Sequence, residues 1–182
     1  ITARQQFRAI WNDRVPGMRI VCFSADGESP SMWAHYADDL AGAVLGFESS
    51  DERDSPWLLA MPVEYRATPP SLPGADAWAR AMLGEESISW EHFLRDYYFV
   101  KSLDWAAEKE YRVPSDKKAT EDGFSSDWTF AAEDLREVRL GPKMNEGDEA
   151  LIRYVVQQRY PHASVMRTKL DSRTRRIVPA EV

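Results

Sequence analysis

The chain has 182 residues, 43% of them hydrophobic and 12% aromatic, and a formal net charge of −7. That is enough length and apolar content for one domain with its own core, and it excludes a disordered chain. The acidic balance argues against general affinity for a nucleic-acid backbone, the single cysteine excludes an internal disulfide framework, and no apolar run approaches a membrane span. The opening ITARQQFRAIW has the pattern of neither a signal peptide nor an anchor, so a cytoplasmic protein with no membrane partner is expected.

From Thr2 to about Asp13, Phe7, Ile10 and Trp11 fall at helical spacing behind a threonine that can cap a helix, and Val15-Pro16-Gly17 ends it. Met18 to Ser24 reads as a strand whose β-branched Ile20 and Val21 suit a buried sheet position. A short helical turn follows in which Met32, Trp33 and Tyr36 share one face. Gly42 to Phe47 is the next strand, and Ser49 to Ser55 a polar turn. Trp57 to Tyr65 alternates like a strand, with Pro62 confining it to an edge or a bulge.

Ala67 to Gly74 carries three prolines and reads as an extended linker. Ala75 to Leu83 and Ser87 to Val100 read as helices, the second capped by Ser87 and striped by Trp90, Phe93, Leu94, Tyr97 and Tyr98. Lys101 to Trp105 is expected as a turn, and Glu108 to Val113 as a strand that Pro114 stops. Short strands are expected at Asp127 to Phe130 and Leu135 to Leu140. Glu146 to Tyr160 is a helix in which Ala150, Leu151, Tyr154 and Val155 recur at the right interval, followed by closing strands at Ser164 to Leu170 and Arg175 to Val178. Strands and helices alternate without regular βαβ units, so the expected class is α+β: a mainly antiparallel mixed sheet with flanking helices in a single domain.

Glu108 and Glu110 are one residue apart, a spacing that puts two carboxylates on one face of a strand. There they can raise each other's pKa or share a cation, as in acid/base and metal sites; the other reading is an exposed face paired with Arg112 or Lys101. His92 and His162 have no partner spacing, and no zinc motif or other metal site is read from the sequence. Cys22 reads as a small buried apolar residue rather than a nucleophile. Trp33 and Trp105 are most simply core anchors and His35 a packing residue, with ligand contact as the other reading for all three. Arg167, Lys169, Arg173, Arg175 and Arg176 read as a charged, solvated edge hairpin.

Three blocks stand in order along the chain: Cys22-Phe23-Ser24 with Met32-Trp33-x-His35-Tyr36-Ala37 and Gly42, Gly46-Phe47; Lys101-Ser102-x-x-Trp105-x-x-Glu108-x-Glu110-Tyr111-Arg112; and Glu137-Val138-x-Leu140-Gly141-Pro142-Lys143-Met144. Together they resemble the signature of a bacterial family known as domain of unknown function 2971. That family's usual leading segment has no counterpart before Met18, so the chain reads as a fragment or a shortened variant. The arrangement is also similar to that of ADP-ribosyltransferases. This second resemblance implies NAD as the nucleotide bound, Glu110 as the catalytic carboxylate and Glu108 as the glutamate that orients or activates the acceptor. It also implies Ser24 as the strand residue at the nicotinamide ribose and Tyr36 as the ring that stacks on nicotinamide, with Trp33, His35 and Arg112 completing the cofactor-binding set. The Arg or His of that superfamily's opening strand has no convincing match. A toxin or phage-defence effector that modifies a protein or a nucleic acid is the implied function. The rival is a non-catalytic binding or interaction module whose glutamates belong to a salt-bridge face.

Overall fold

Thr2 sets the first helix by local chemistry alone. Its Oγ1 accepts from the Gln5 N–H at 3.3 Å, while Gln5 Oε1 accepts from the Thr2 N–H at 2.8 Å, a reciprocal capping box. The structure, a computed structural model, describes residues 2–70, 73–87, 89–123 and 125–180. The side chains of Phe7, Ile10 and Trp90, and residues 71–72 of the expected linker, lie outside the described residues. In chain order the elements are α1 (Ala3–Arg14), β1 (Met18–Ser24), α2 (Pro30–Tyr36), β2 (Ala43–Phe47), β3 (Met61–Pro62), β4 (Glu64–Arg66), α3 (Ala75–Met82), α4 (Trp90–Tyr98), β5 (Val100–Ser102), β6 (Glu110–Asp116), β7 (Leu135–Leu140), α5 (Glu146–Arg159), β8 (Ser164–Leu170) and β9 (Ile177–Pro179). The fold is α+β, and its contacts group into two compact units: Ile1–Phe23 with Ala60–Trp128, and Ser24–Leu59 with Thr129–Val182.

The first unit is held by an aromatic knot. Trp11 of α1 meets Phe93 and Tyr97 of α4 edge-on at 6.0 and 5.3 Å, and Trp78 of α3 meets Phe93 at 5.2 Å. Each such pair contributes about 0.5–1.5 kcal/mol beyond its buried area. Helix α4 starts later than expected because Ser89, not Ser87, caps it, accepting from the His92 N–H at 3.3 Å. Among the described side chains of the expected stripe, Phe93 and Tyr98 are buried, Tyr97 is half-buried and Leu94 is exposed.

Lys101 belongs to a strand rather than a turn: β5 pairs in parallel with β4, Lys101 opposite Tyr65. A three-stranded sheet runs β1-β6-β3, with Pro62 on the outer strand β3 as its missing N–H requires. Of the expected Trp57 to Tyr65 strand, Met61–Pro62 pairs there and the Val63 N–H donates to the Glu110 carbonyl at 2.9 Å, while Pro56–Leu59 forms a 3-10 turn and Glu64–Arg66 joins the separate pair with β5. Pro114 does not stop β6, which continues to Asp116. Ile20 and Val21, expected inside, are exposed on opposite faces of β1, the other outer strand of that sheet.

The second unit is a four-stranded sheet ordered β2-β7-β8-β9. β2 runs antiparallel to β7, β7 parallel to β8, and β8 antiparallel to β9. A parallel neighbour requires a crossover, and α5 supplies it, making one βαβ unit the sequence pattern did not announce. Val138, Leu140 and Val156 pack in one cluster with Ala43 and Phe47, while Trp33, Ala37 and Ile177 pack in another with Val44. Ala43 and Val44 are adjacent on a strand, so the two clusters lie on opposite sheet faces. Asp127 to Phe130 forms no strand.

Between α2 and β2 the backbone makes a left-handed turn: Asp38, Asp39 and Leu40 have φ of 48°, 47° and 71°. Such residues cost roughly 1–2 kcal/mol apiece. The turn is pinned from β7's end, where the Lys143 N–H donates to the Leu40 carbonyl at 3.1 Å and the Gly141 N–H to the Gly42 carbonyl at 2.9 Å. A Cβ at Gly141 would collide with the Leu40 carbonyl oxygen and lie 2.7 Å from that of Gly42, so glycine is required there.

Candidate functional site

The first unit brings Lys101, Glu108, Glu110 and Arg112 together. The route differs from the strand expected over Glu108 to Val113. Leu103–Glu108 is a 3-10 helix, Lys109 follows in the left-handed region at φ 46°, and β6 begins only at Glu110. Glu108 is therefore not on the strand, and the period-two argument for a shared face does not apply to it. The carboxylates meet through a cation instead. Lys101 Nζ donates to Glu108 Oε2 and, at 3.1 Å, to Glu110 Oε2.

Arg112, two residues along β6 and so on the same face as Glu110, forks onto that carboxylate: Nε to Oε1 at 2.7 Å and Nη2 to Oε2 at 3.1 Å. Its Nη1 donates to the Tyr98 carbonyl at 2.7 Å, and the Glu110 N–H donates to the Tyr65 hydroxyl at 2.8 Å. Glu108 and Glu110 are 6% and 5% exposed. The pairing with Lys101 and Arg112 exists, but it is buried rather than an exposed face.

Burial alone would raise the Glu110 pKa; hydrogen bonds from Arg112, Cys22 and Lys101 overcome it and bring the group down to about 2. The expectation that two neighbouring carboxylates raise each other therefore fails for Glu110, because cations stand between them. Cys22 reaches the site from β1, the neighbour of β6. It is not the buried residue expected, since it is exposed to solvent. Partial loss of solvent around the sulfur, its hydrogen bond to Glu110 and that group's charge push the thiol up to about 11. A thiol held so high is protonated at neutral pH, which removes it as a nucleophile.

Trp105 departs from its expected role as a core anchor. It is 45% exposed, and Lys101 Nζ lies 5.1 Å from its ring centroid, a cation–π contact on the flank of the cluster.

The other expected site residues belong to the second unit. Ser24 Oγ accepts from the Asp26 N–H at 3.0 Å, fixing the turn after β1. Trp33 is 1% exposed in the core and donates from Nε1 to the Gly27 carbonyl at 2.9 Å, so its ring faces protein. His35 and Tyr36 point outward, Tyr36 65% exposed, with ring centroids 6.2 Å apart. The shared face expected for Met32, Trp33 and Tyr36 is thus split between core and surface.

Sequence reading missed the second unit's most buried charge. Asp134, fully enclosed, accepts from Arg53 Nε and Ser55 Oγ, both at 2.8 Å. Burial would raise its pKa, but Arg53 and Ser55 hold it below the usual carboxylate range. Arg53 and Ser55 read as part of a polar turn and Asp134, with Glu133, as another turn, and nothing in the spacing joins the two. In the basic hairpin, Arg176 forks onto the buried Asp26 at 2.6 and 3.1 Å, and Arg167 pairs with Glu149.

Among the described residues, no three His, Cys, Asp or Glu side chains are grouped to hold a metal ion, and no helix is long and apolar enough to cross a membrane. Comparison of the chain with protein-family models, with curated proteins and with solved structures gave no match.

Proposed function

We propose that the chain is an ADP-ribosyltransferase-like enzyme that takes NAD as its donor, with Glu110 as the catalytic carboxylate, working as a bacterial toxin or phage-defence effector. One observation carries this reading: β1, which bears the Cys-Phe-Ser motif, lies beside β6, which opens at Glu110, and the Cys22 thiol bonds that carboxylate. Two sequence blocks singled out by the resemblance thereby converge on one ionised group.

Its chemistry suits glycosidic cleavage. When the bond from ribose to nicotinamide breaks, its electron pair leaves with nicotinamide and positive charge develops on the ribose. A carboxylate ionised above about pH 2 stabilises that charge without a prior proton transfer. The acceptor then bonds to the ribose carbon and gives up a proton, for which Glu108 is the neighbouring base. Lys101 and Arg112 are cations of the kind a diphosphate engages; drawn toward it, they would leave more of the Glu110 charge for the ribose.

The non-catalytic module has an observation of its own: two carboxylates face two cations, and both glutamates are nearly closed to solvent. A calorimetric titration of NAD into the chain, paired with an assay for nicotinamide release, separates the readings. The enzyme reading expects binding and release, with Glu110→Gln still binding and releasing nicotinamide about 100-fold or more slowly. Absence of binding overturns it and leaves the module.

A further inference from the structure

Helix α5 has two apolar stripes. Ile152 and Val156 face the sheet, while Leu151, Tyr154 and Val155, the residues the sequence pattern favoured, are 60%, 63% and 40% exposed. They stand at i, i+3 and i+4, so they form one continuous patch on the outer face. The patch is centred on the helix: its three residues straddle the middle of Glu146–Arg159. Charge is arranged about that centre. Asp148 and Glu146 lie in the first turn and Arg159 in the last, all exposed. At 3.6 residues per turn, Asp148 and Arg159 fall on the same flank of the patch, beside Val155.

These features have one self-consistent partner. We propose that α5 packs antiparallel against α5 of a second copy of this chain, forming a two-fold dimer through Leu151, Tyr154 and Val155. In an antiparallel pair the same flank of each helix meets its counterpart. The register that sets Leu151 opposite the second copy's Val155 therefore also sets Asp148 opposite its Arg159, twice over. In a parallel two-fold pair opposite flanks meet, so Asp148 and Arg159 of one helix would lie across the seam from those of the other and no such ion pair would form, while the two helix dipoles would lie side by side unfavourably. A two-fold interface is isologous, which requires this kind of self-complementary patch.

The contact is modest. One exposed helix face of three apolar side chains falls well short of the roughly 800 Å² per partner of a standard stable interface. The dimer is accordingly a weak one that assembles as concentration rises, and its flanking charges fix the direction of pairing more than its strength.

Sedimentation velocity on the full chain, from about 5 to about 500 μM, tests this. The expected result is a weight-average sedimentation coefficient that climbs from the monomer toward the dimer value. Tyr154→Glu weakens association at least about tenfold, and Leu151→Gln does so by a smaller factor. Arg159→Glu weakens it about threefold or more, and the swap Asp148→Lys with Arg159→Glu restores it. All four positions are exposed, so melting temperatures within a few degrees of the parent certify the fold; Leu151→Gln carries the test if Tyr154→Glu does not fold. A chain that stays monomeric throughout overturns the proposal. So does association unchanged in both Leu151→Gln and Tyr154→Glu, or a charge swap that leaves Arg159→Glu unrescued.

Discussion

Glu110 shows how a single carboxylate reports its surroundings. Its folded pKa of about 2 lies below the ordinary 4.5, so its contribution to stability is present in full above the unfolded value and is lost as pH falls toward 2. The two values correspond to about 3 kcal/mol. Urea unfolding measured from pH 7 to pH 2.5 should therefore show a steep acid limb in the parent chain and a shallower one in Glu110→Gln, which has no such proton to gain. Equal acid limbs would mean that the Arg112 and Lys101 contacts do not persist in solution. The substitution should also cost roughly 1.5–3 kcal/mol at pH 7, because it weakens hydrogen bonds to two cations. Loss of activity in Glu110→Gln must therefore be read beside its melting curve. Asp134 is the stricter case. Asp134→Ala removes the enclosed acceptor of Arg53 and Ser55 while Arg53, a quarter exposed, keeps Glu48 at 3.3 Å, so it should cost about 1.5–3 kcal/mol by chemical denaturation, whereas Ser55→Ala, which removes one neutral donor, should cost about 1–2 kcal/mol.

Elements are held by backbone conformations that side-chain patterns do not report. The Thr2 cap of α1 and the α5 helix were legible because caps and helical spacing are local. Which stripe of α5 faces inward was not, since Leu151, Tyr154 and Val155 recur at helical spacing as faithfully as Ile152 and Val156 do. The Glu108-x-Glu110 pair was legible as a cluster for a reason that turned out differently: Lys109 in the left-handed region ends a 3-10 turn, and Lys101 from β5 gathers the two carboxylates. No periodicity announces a left-handed lysine. Lys109→Gly should therefore be tolerated or stabilise by up to about 1 kcal/mol in thermal unfolding, where a glycine in an ordinary strand would cost about that much. Gly141 is the opposite case. Gly141→Ala drives a methyl into the Leu40 and Gly42 carbonyls, neither of which can rotate away without unwinding the Asp38 to Leu40 turn. A loss of about 2–3 kcal/mol is expected, well above the few tenths typical of an exposed glycine.

At the scale of the whole molecule, each compact unit is assembled from two separated stretches of chain, so sequence order alone does not mark where one ends. The sequence reads as one domain because its length and apolar content suffice for a single core; the contacts divide even the continuous Cys22 to Phe47 block, between Phe23 and Ser24. This division has a consequence for fragments. A chain ending at Trp128 keeps both stretches of the first unit, including α1, α3 and α4 with their aromatic knot and the β1-β6-β3 sheet. It deprives the second unit of β7, α5, β8 and β9, and with them of every strand that pairs with β2. A chain beginning at Ala60 has the reverse mixture, for it removes β1 and α1 from the first unit and α2 and β2 from the second. If each unit folds on its own contacts, the 1–128 fragment should show dispersed amide resonances for the first unit and collapsed ones for residues 24–59. It should also retain the acid limb set by Glu110, whose partners Lys101, Arg112 and Cys22 it contains. The 60–182 fragment should show neither. A 1–128 fragment with no dispersion would mean that the first unit draws its stability from the second, and that the chain unfolds in one step despite its two centres of contact.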